Sequence, residues 1–101
     1  MKTIYTTPQF DTWFDKLRDA QGKRRIQARI DRMEDGYFGD VKAVSEAISE
    51  LRFFFGPGYR IYFYEQNDTI IILLAGGDKS TQSKDIKQAI KLVEALKETE
   101  E

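Results

Sequence analysis

The chain contains no cysteine and no histidine. Lack of cysteine excludes disulfides, thiol nucleophiles and cysteine-based metal sites. Lack of histidine removes the side chain that titrates nearest neutrality, and with it the commonest zinc ligand. No metal or other cofactor is therefore expected. Long hydrophobic runs are missing too: none approaches the ~20 residues of a membrane span. The opening stretch MKTIYTTPQF has no apolar run suited to a signal peptide. The expectation is one cytoplasmic domain over residues 1–101 with no membrane partner, since 101 residues is close to the usual size of a single core. An excess of one charge sign is absent as well. Lys and Arg number 16 against 17 Asp and Glu, a net charge of -1, which argues against a uniformly basic nucleic-acid binder. The distribution is less even than the sum. Glu94, Glu98, Glu100 and Glu101 gather at the end, whereas cations outnumber acids between Arg52 and Lys91. A local basic surface is compatible with the totals.

The pattern of what is there has three parts. In residues 1–39, Lys2 to Thr6 alternates weakly as a short strand would, and Thr7-Pro8 reads as an N-cap with proline at the first helical position. Phe10, Trp13, Phe14 and Leu17 then fall on one helical stripe. After Gly22 a second stripe runs through Ile26, Ile30, Met33 and Tyr37, ended by Gly36 and Gly39. Residues 40–48 read as loop, a short turn of helix, or both. Over 49–79 the period changes to two. Leu51, Phe53 and Phe55 share one face of a strand, while Glu50, Arg52 and Phe54 share the other. Gly56-Pro57-Gly58 is a turn signal. A three-residue loop there sets Phe53 opposite Ile61 and Leu51 opposite Phe63, with Arg52 opposite Tyr62 and Phe54 opposite Arg60 on the other face. Arg52 and Arg60 are then diagonal neighbours. Gln66-Asn67-Asp68 turns the chain into TIIILLAGG, apolar on both faces as a central strand is. Residues 80–97 form a last helix with Ile86, Ala89, Ile90, Val93 and Leu96 as its stripe. The expected fold is α+β in the order β-α-α-β-β-β-α, a mainly antiparallel twisted sheet with helices packed on one face.

With one face covered, the other shows Arg52, Arg60, Tyr62, Tyr64 and Phe54, with Lys79 at its rim. Guanidinium groups grip phosphate and rings stack on bases, so the set suits an RNA strand. The bland alternative pairs Arg52 and Arg60 with Glu50 or Glu65 on a solvated sheet. Metal-free RNA cleavage by the neighbouring 2′-hydroxyl needs proton transfer and charge stabilisation at phosphorus. A lysine beside arginines gives up its proton more readily, because like charges disfavour the charged form. Lys79 is thus the first candidate for proton transfer, and Arg52 and Arg60 for transition-state charge. GGDKST lacks the full spacing of a nucleotide-binding loop, and the basic run GKRR at 22–25 reads as a solvated helix face.

The segments GDVK at 39–42, SELRFFFGPGYRIYF at 49–63 and LLAGGDKSTQSKDIKQA at 73–89 resemble the HigB-like addiction-module killer proteins of the RelE/ParE toxin superfamily, over nearly the whole chain. The resemblance implies a type II toxin held in check by a helix-turn-helix antitoxin, and a ribosome-dependent endoribonuclease that cleaves mRNA and so inhibits translation. It implies catalytic positions at Arg52, Arg60 and Lys79. Lys42, Phe54, Tyr62, Tyr64 and Gln82 are expected to bind substrate. The competing readings are a ParE-like toxin acting on DNA gyrase without nuclease activity, and a non-catalytic interaction module.

Overall fold

The computed structural model describes residues 1–100. Its elements are strand β1 (Thr3–Thr6), helices α1 (Pro8–Lys16) and α2 (Ala20–Met33), strands β2 (Val41–Ala43), β3 (Ile48–Arg52), β4 (Arg60–Gln66) and β5 (Ile70–Gly77), a 3-10 turn (Lys79–Thr81) and helix α3 (Gln82–Glu100). Local chemistry explains the helix starts. The Thr7 hydroxyl accepts from the Phe10 N–H at 3.1 Å and donates to the Leu74 carbonyl at 2.6 Å, so one side chain caps α1 and ties it to β5. Pro8 follows at the first helical position, where its missing N–H costs nothing. The Asp19 carboxylate caps α2 by accepting from the Gly22 N–H at 2.9 Å, and also from the Tyr59 hydroxyl at 3.0 Å. Helix α2 stops at Met33, one turn before the expected Tyr37, which is 66% exposed.

The Asp19 cap carries a pH dependence. The Gly22 N–H, then the Tyr59 hydroxyl, hold the Asp19 carboxyl below its ordinary value. A folded-state pKa depressed in this way contributes stability above the unfolded value of about 3.9, which is lost as pH falls through the folded one. Asp19→Ala should therefore lower the urea midpoint at pH 7. The gap to the parent protein should shrink as both are acidified below the ordinary carboxylate range.

The five strands form one sheet in the order β1-β5-β4-β3-β2. β1 runs parallel to β5, and the other pairs are antiparallel. The α+β, mainly antiparallel architecture is as expected, with three differences. First, β2 forms within the segment that showed no clear pattern, pairing Val41 with Leu51 and Lys42 with Glu50. Second, the helices cover both faces. α1 and α2 bury Phe10, Ile26, Ile30 and Met33 against Leu51, Phe53, Ile61 and Phe63. α3 lays Ala89 and Val93 on Ile48, Tyr62, Leu74 and Ala75, the opposite face. Third, the β3–β4 register is shifted by two residues. Arg52 pairs directly with Arg60, Leu51 with Ile61 and Glu50 with Tyr62. The Phe53 N–H donates to the Tyr59 carbonyl at 3.1 Å, so the loop spans residues 54–58 instead of Gly56-Pro57-Gly58 alone. Gly56 and Gly58, at φ 55 and 77, supply the left-handed turns it requires. A shift of two preserves which side chains share a face, so the predicted faces hold although the predicted partners do not.

At the end of β5 two adjacent glycines face opposite sides. A Cβ on Gly76 would lie 2.1 Å from the Trp13 ring, and one on Gly77 would lie 1.8 Å from the Asp85 carboxylate. α1 and α3 can approach the strand this closely only because neither position carries a side chain. Among the described residues, no helix is long and apolar enough to cross a membrane.

Candidate active site

Where β3 and β4 leave the sheet, a cleft of about 450 Å³ opens between β2, the 54–58 loop and the start of α3. Lys42, Arg52, Phe54, Arg60, Lys79 and Gln82 all line it. Six of the eight residues proposed from sequence are thus brought together from four parts of the chain.

The two arginines have different tasks. Arg60 is 4% exposed. Its Nη1 donates to the carbonyls of Phe53, Gly58 and Tyr59 at 3.1, 3.1 and 3.0 Å. It therefore clamps the loop from inside as well as charging the cleft. Arg52 keeps about a third of its side chain exposed, with Nε 3.9 Å from both Asp40 and Glu50. The guanidinium carbons of Arg52 and Arg60 stand 5.3 and 6.0 Å from the centroid of Phe54, whose ring is 74% exposed. Among the described residues, the buried Nε atoms of both arginines have no hydrogen-bond partner. Arg29 supports the arrangement from α2. It donates to the carbonyls of Arg52, Phe38 and Asp40 and lies 4.3 Å over the Phe53 ring.

Lys79 opens the 3-10 turn, one residue past the end of β5. The turn is fixed by reciprocal bonds: Asp78 Oδ1 accepts from the Ser80 N–H at 2.8 Å, and Thr81 Oγ1 accepts from the Asp78 N–H at 3.1 Å. Lys79 itself is exposed. Its Cβ and Arg60 Nη1 lie 3.4 and 3.6 Å from the point where a Cβ on Gly58 would sit. The third glycine-proline-glycine position thus brings the lysine stem and the buried guanidinium together.

Glu50 is the residue that sequence reasoning undervalued. It is 1% exposed yet lines the cleft. Gln82 Nε2 donates to its Oε2 at 2.6 Å. Its Oε1 lies 3.8 Å from Arg60 Nε and 3.9 Å from Arg52 Nε. Across the sheet its neighbours are Lys42 and Tyr62. Two arginines placed directly opposite repel, and the buried carboxylate between them offsets that repulsion. The signal was present, because a glutamate shares the strand parity of Arg52, but charge alone did not separate it from a surface partner. Glu65, the other acid considered, instead pairs with Lys2 at 2.5 Å.

Two expected substrate-binding residues are not in the cleft. Tyr62 is fully buried under α3, and Tyr64 packs partly buried against the same cluster. The open sheet face on which they were expected is occupied by α3. Burial, then the Glu50 carboxylate, raise the pKa of the Tyr62 hydroxyl far above neutrality. It stays protonated and is no proton acceptor. What remains is four cations around one buried acid, with an exposed ring at the entrance. That arrangement can hold a phosphate oxygen, stabilise charge building on it, and stack a flat ring beside it.

No family model matches the chain. An uncharacterized protein of Haemophilus influenzae (strain ATCC 51907 / DSM 11121 / KW20 / Rd) is 53% identical over 93 residues, 92% of this chain and 94% of that protein. Among solved structures, the crystal structure of the intact E. coli RelBE toxin-antitoxin complex contains a similar chain, with a TM-score of 0.60 and 10% identity over 77% of this chain and 96% of that one. At that identity the likeness is one of fold, and the fold is of the RelE type.

Proposed function

This chain belongs to the family of the Haemophilus influenzae protein, and from that premise and the RelE-type fold we propose that it is the toxin of a type II toxin-antitoxin system, of the HigB-like group. Its activity is ribosome-dependent cleavage of mRNA, held off by a helix-turn-helix antitoxin. The observation that supports this best is the gathering of Lys42, Arg52, Arg60 and Lys79 around a single cleft in a chain whose net charge is -1. In the proposed reaction the 2′-hydroxyl attacks the adjacent phosphate. The products are a 2′,3′-cyclic phosphate and a free 5′-hydroxyl. Arg52 and Arg60 stabilise the charge on the phosphorane. Lys79, an exposed cation whose stem lies beside the buried Arg60 guanidinium, handles the proton at the reacting phosphate. Phe54 stacks on a neighbouring base, and Lys42 and Gln82 position the strand.

Ribosome dependence follows from the charge balance. A free ribonuclease must attract its RNA unaided, whereas an enzyme seated on the ribosome has its substrate positioned for it. Purified protein should therefore leave naked RNA almost untouched. Induced expression, followed by mapping of mRNA 5′ ends, tests the reading in cells. Cuts within codons of translated messages, carrying 5′-hydroxyl ends, are the expected result. Intact messages with gyrase-linked DNA breaks would replace it with a ParE-like activity, and unimpaired growth would replace it with a non-catalytic interaction module.

A further inference from the structure

Glu50 stands two residues before Arg52 on β3, so strand alternation puts both on one face of the sheet. Its carboxylate is held firmly at one oxygen only. Oε2 accepts from Gln82 Nε2 at 2.6 Å. Oε1 lies 3.8 Å from Arg60 Nε and 3.9 Å from Arg52 Nε, roughly 1 Å beyond the ~2.7–2.9 Å of a charge-assisted hydrogen bond. An acid that locks an ion pair closes on the guanidinium fork with two parallel bonds. This one stops between two guanidiniums and closes on neither.

Buried donors without a partner are rare in folded proteins and call for a reason. Among the described residues they gather at this carboxylate. They are Arg52 Nε, Arg60 Nε and the hydroxyl of Tyr62, the residue opposite Glu50 on β4. The remaining nitrogens of the two arginines divide unequally. Arg60 Nη1 is taken by the carbonyls of Phe53, Gly58 and Tyr59. With Nε toward Glu50, that leaves Nη2 for a ligand oxygen. Arg52 meets both Asp40 and Glu50 through Nε, which leaves its two Nη groups for the cleft that it lines. One carboxylate oxygen behind both Nε atoms therefore sets the angle at which the two forks open.

We infer that Glu50 is the positioning residue of the cleft: pinned by Gln82, it aims the Nη edges of Arg52 and Arg60 at one substrate phosphate without hydrogen-bonding either arginine. This rests on the RNA-cleavage reading above. A carboxylate that merely neutralised the arginines would predict something else. Its removal would raise the positive potential of the cleft, so phosphate would bind more tightly and cleavage would quicken with it. If the carboxylate aims the forks, its removal moves the two quantities in opposite directions, because a small misplacement of catalytic groups is enough to cost about 10²-fold in rate.

Glu50→Gln tests this. Inorganic phosphate titrated into the purified protein, followed through the arginine Nε–H NMR signals, should bind about three- to tenfold more tightly. Single-turnover cleavage on programmed ribosomes should fall about 10²-fold. Circular dichroism at a temperature well below the melting transition confirms that the folded form is being measured. A folded variant that cleaves as fast as the parent, or faster, overturns the inference. So does a cleft that binds phosphate in neither protein. Glu50→Asp keeps the charge and retracts it by one methylene, and it carries the test if Glu50→Gln does not fold. Phosphate affinity should then match the parent's while cleavage drops about tenfold or more; a parental rate would show that charge without aim suffices. Should the parent itself cleave nothing on ribosomes, the nuclease reading falls separately. The Nε–H signals of Arg52 and Arg60 still decide the role of Glu50: they should shift and broaden in Glu50→Gln, and parental signals would overturn it.

Discussion

Lys79→Ala should slow mRNA cleavage on programmed ribosomes by about 10²–10⁴-fold, the usual range for loss of a positioned proton-transfer group, while leaving the melting temperature unchanged. The two halves of this expectation come from the same geometry. Lys79 is exposed, and among the described residues its side chain makes none of the side-chain hydrogen bonds that fix the turn. Asp78, Ser80 and Thr81 make those bonds. Truncation therefore removes the ammonium and little else. Single-turnover cleavage separates this step from ribosome binding, and circular dichroism follows the fold. A variant with the parent's rate would remove Lys79 from the chemistry and leave the arginines to be tested alone.

Arg60→Ala should fail in a different way. An arginine on an open sheet face would be replaceable without harm to the fold. This one is buried, holds three carbonyls of the 54–58 loop and its flanks, and lies 3.8 Å from a carboxylate that is itself 1% exposed. Removing it takes away the nearer of the two guanidiniums facing the buried Glu50 carboxylate, leaving Arg52 at 3.9 Å and the Gln82 amide, and frees the three carbonyls, at a cost of up to about 3–5 kcal/mol. Phe53→Ala, which empties a fully buried ring position, should cost about the same. A chain of this length has only about 5–15 kcal/mol in total. Both variants should show a large drop in urea midpoint, and loss of toxicity in either reports lost structure before lost chemistry. If Arg60→Ala unfolds at the parent's midpoint, the clamp described here is not holding the loop. Arg52→Ala is the cleaner probe of guanidinium charge, because that side chain stays partly exposed.

Particular residues show how far the sequence could be read. The helix stripes of Phe10 and of Ile26, Ile30 and Met33 were legible because burial on a helix imposes a period of 3.6. Membership of the two sheet faces was legible because strand parity is insensitive to slips of two residues. The same insensitivity hid the partners. Apolar alternation fits Leu51 against Phe63 as well as against Ile61, and only the loop conformation decides. The side of the sheet taken by α3 was not legible. Tyr62, with a hydroxyl and an arginine on its strand, read as a wet residue, while its neighbours on that face, Ile48 and Ala75, stood in a segment without a clear pattern and in a strand apolar on both faces. Of the candidate site, Lys42, Arg52, Phe54, Arg60, Lys79 and Gln82 were read from sequence and meet in space. Glu50 was visible only as a counter-ion, because nothing in a linear chain says how deeply a carboxylate will be buried.

The paired glycines at the end of β5 set how tightly the rim of the cleft is geared to the rest of the molecule. Gly76 gives the Trp13 ring its seat on one side and Gly77 gives Asp85 its seat on the other, and the strand between them continues straight into Asp78 and Lys79. No side chain there acts as a cushion. A nudge to α1 or α3 would reach the lysine through bare main chain, so the helices on both sides of the sheet bear on where its ammonium stands.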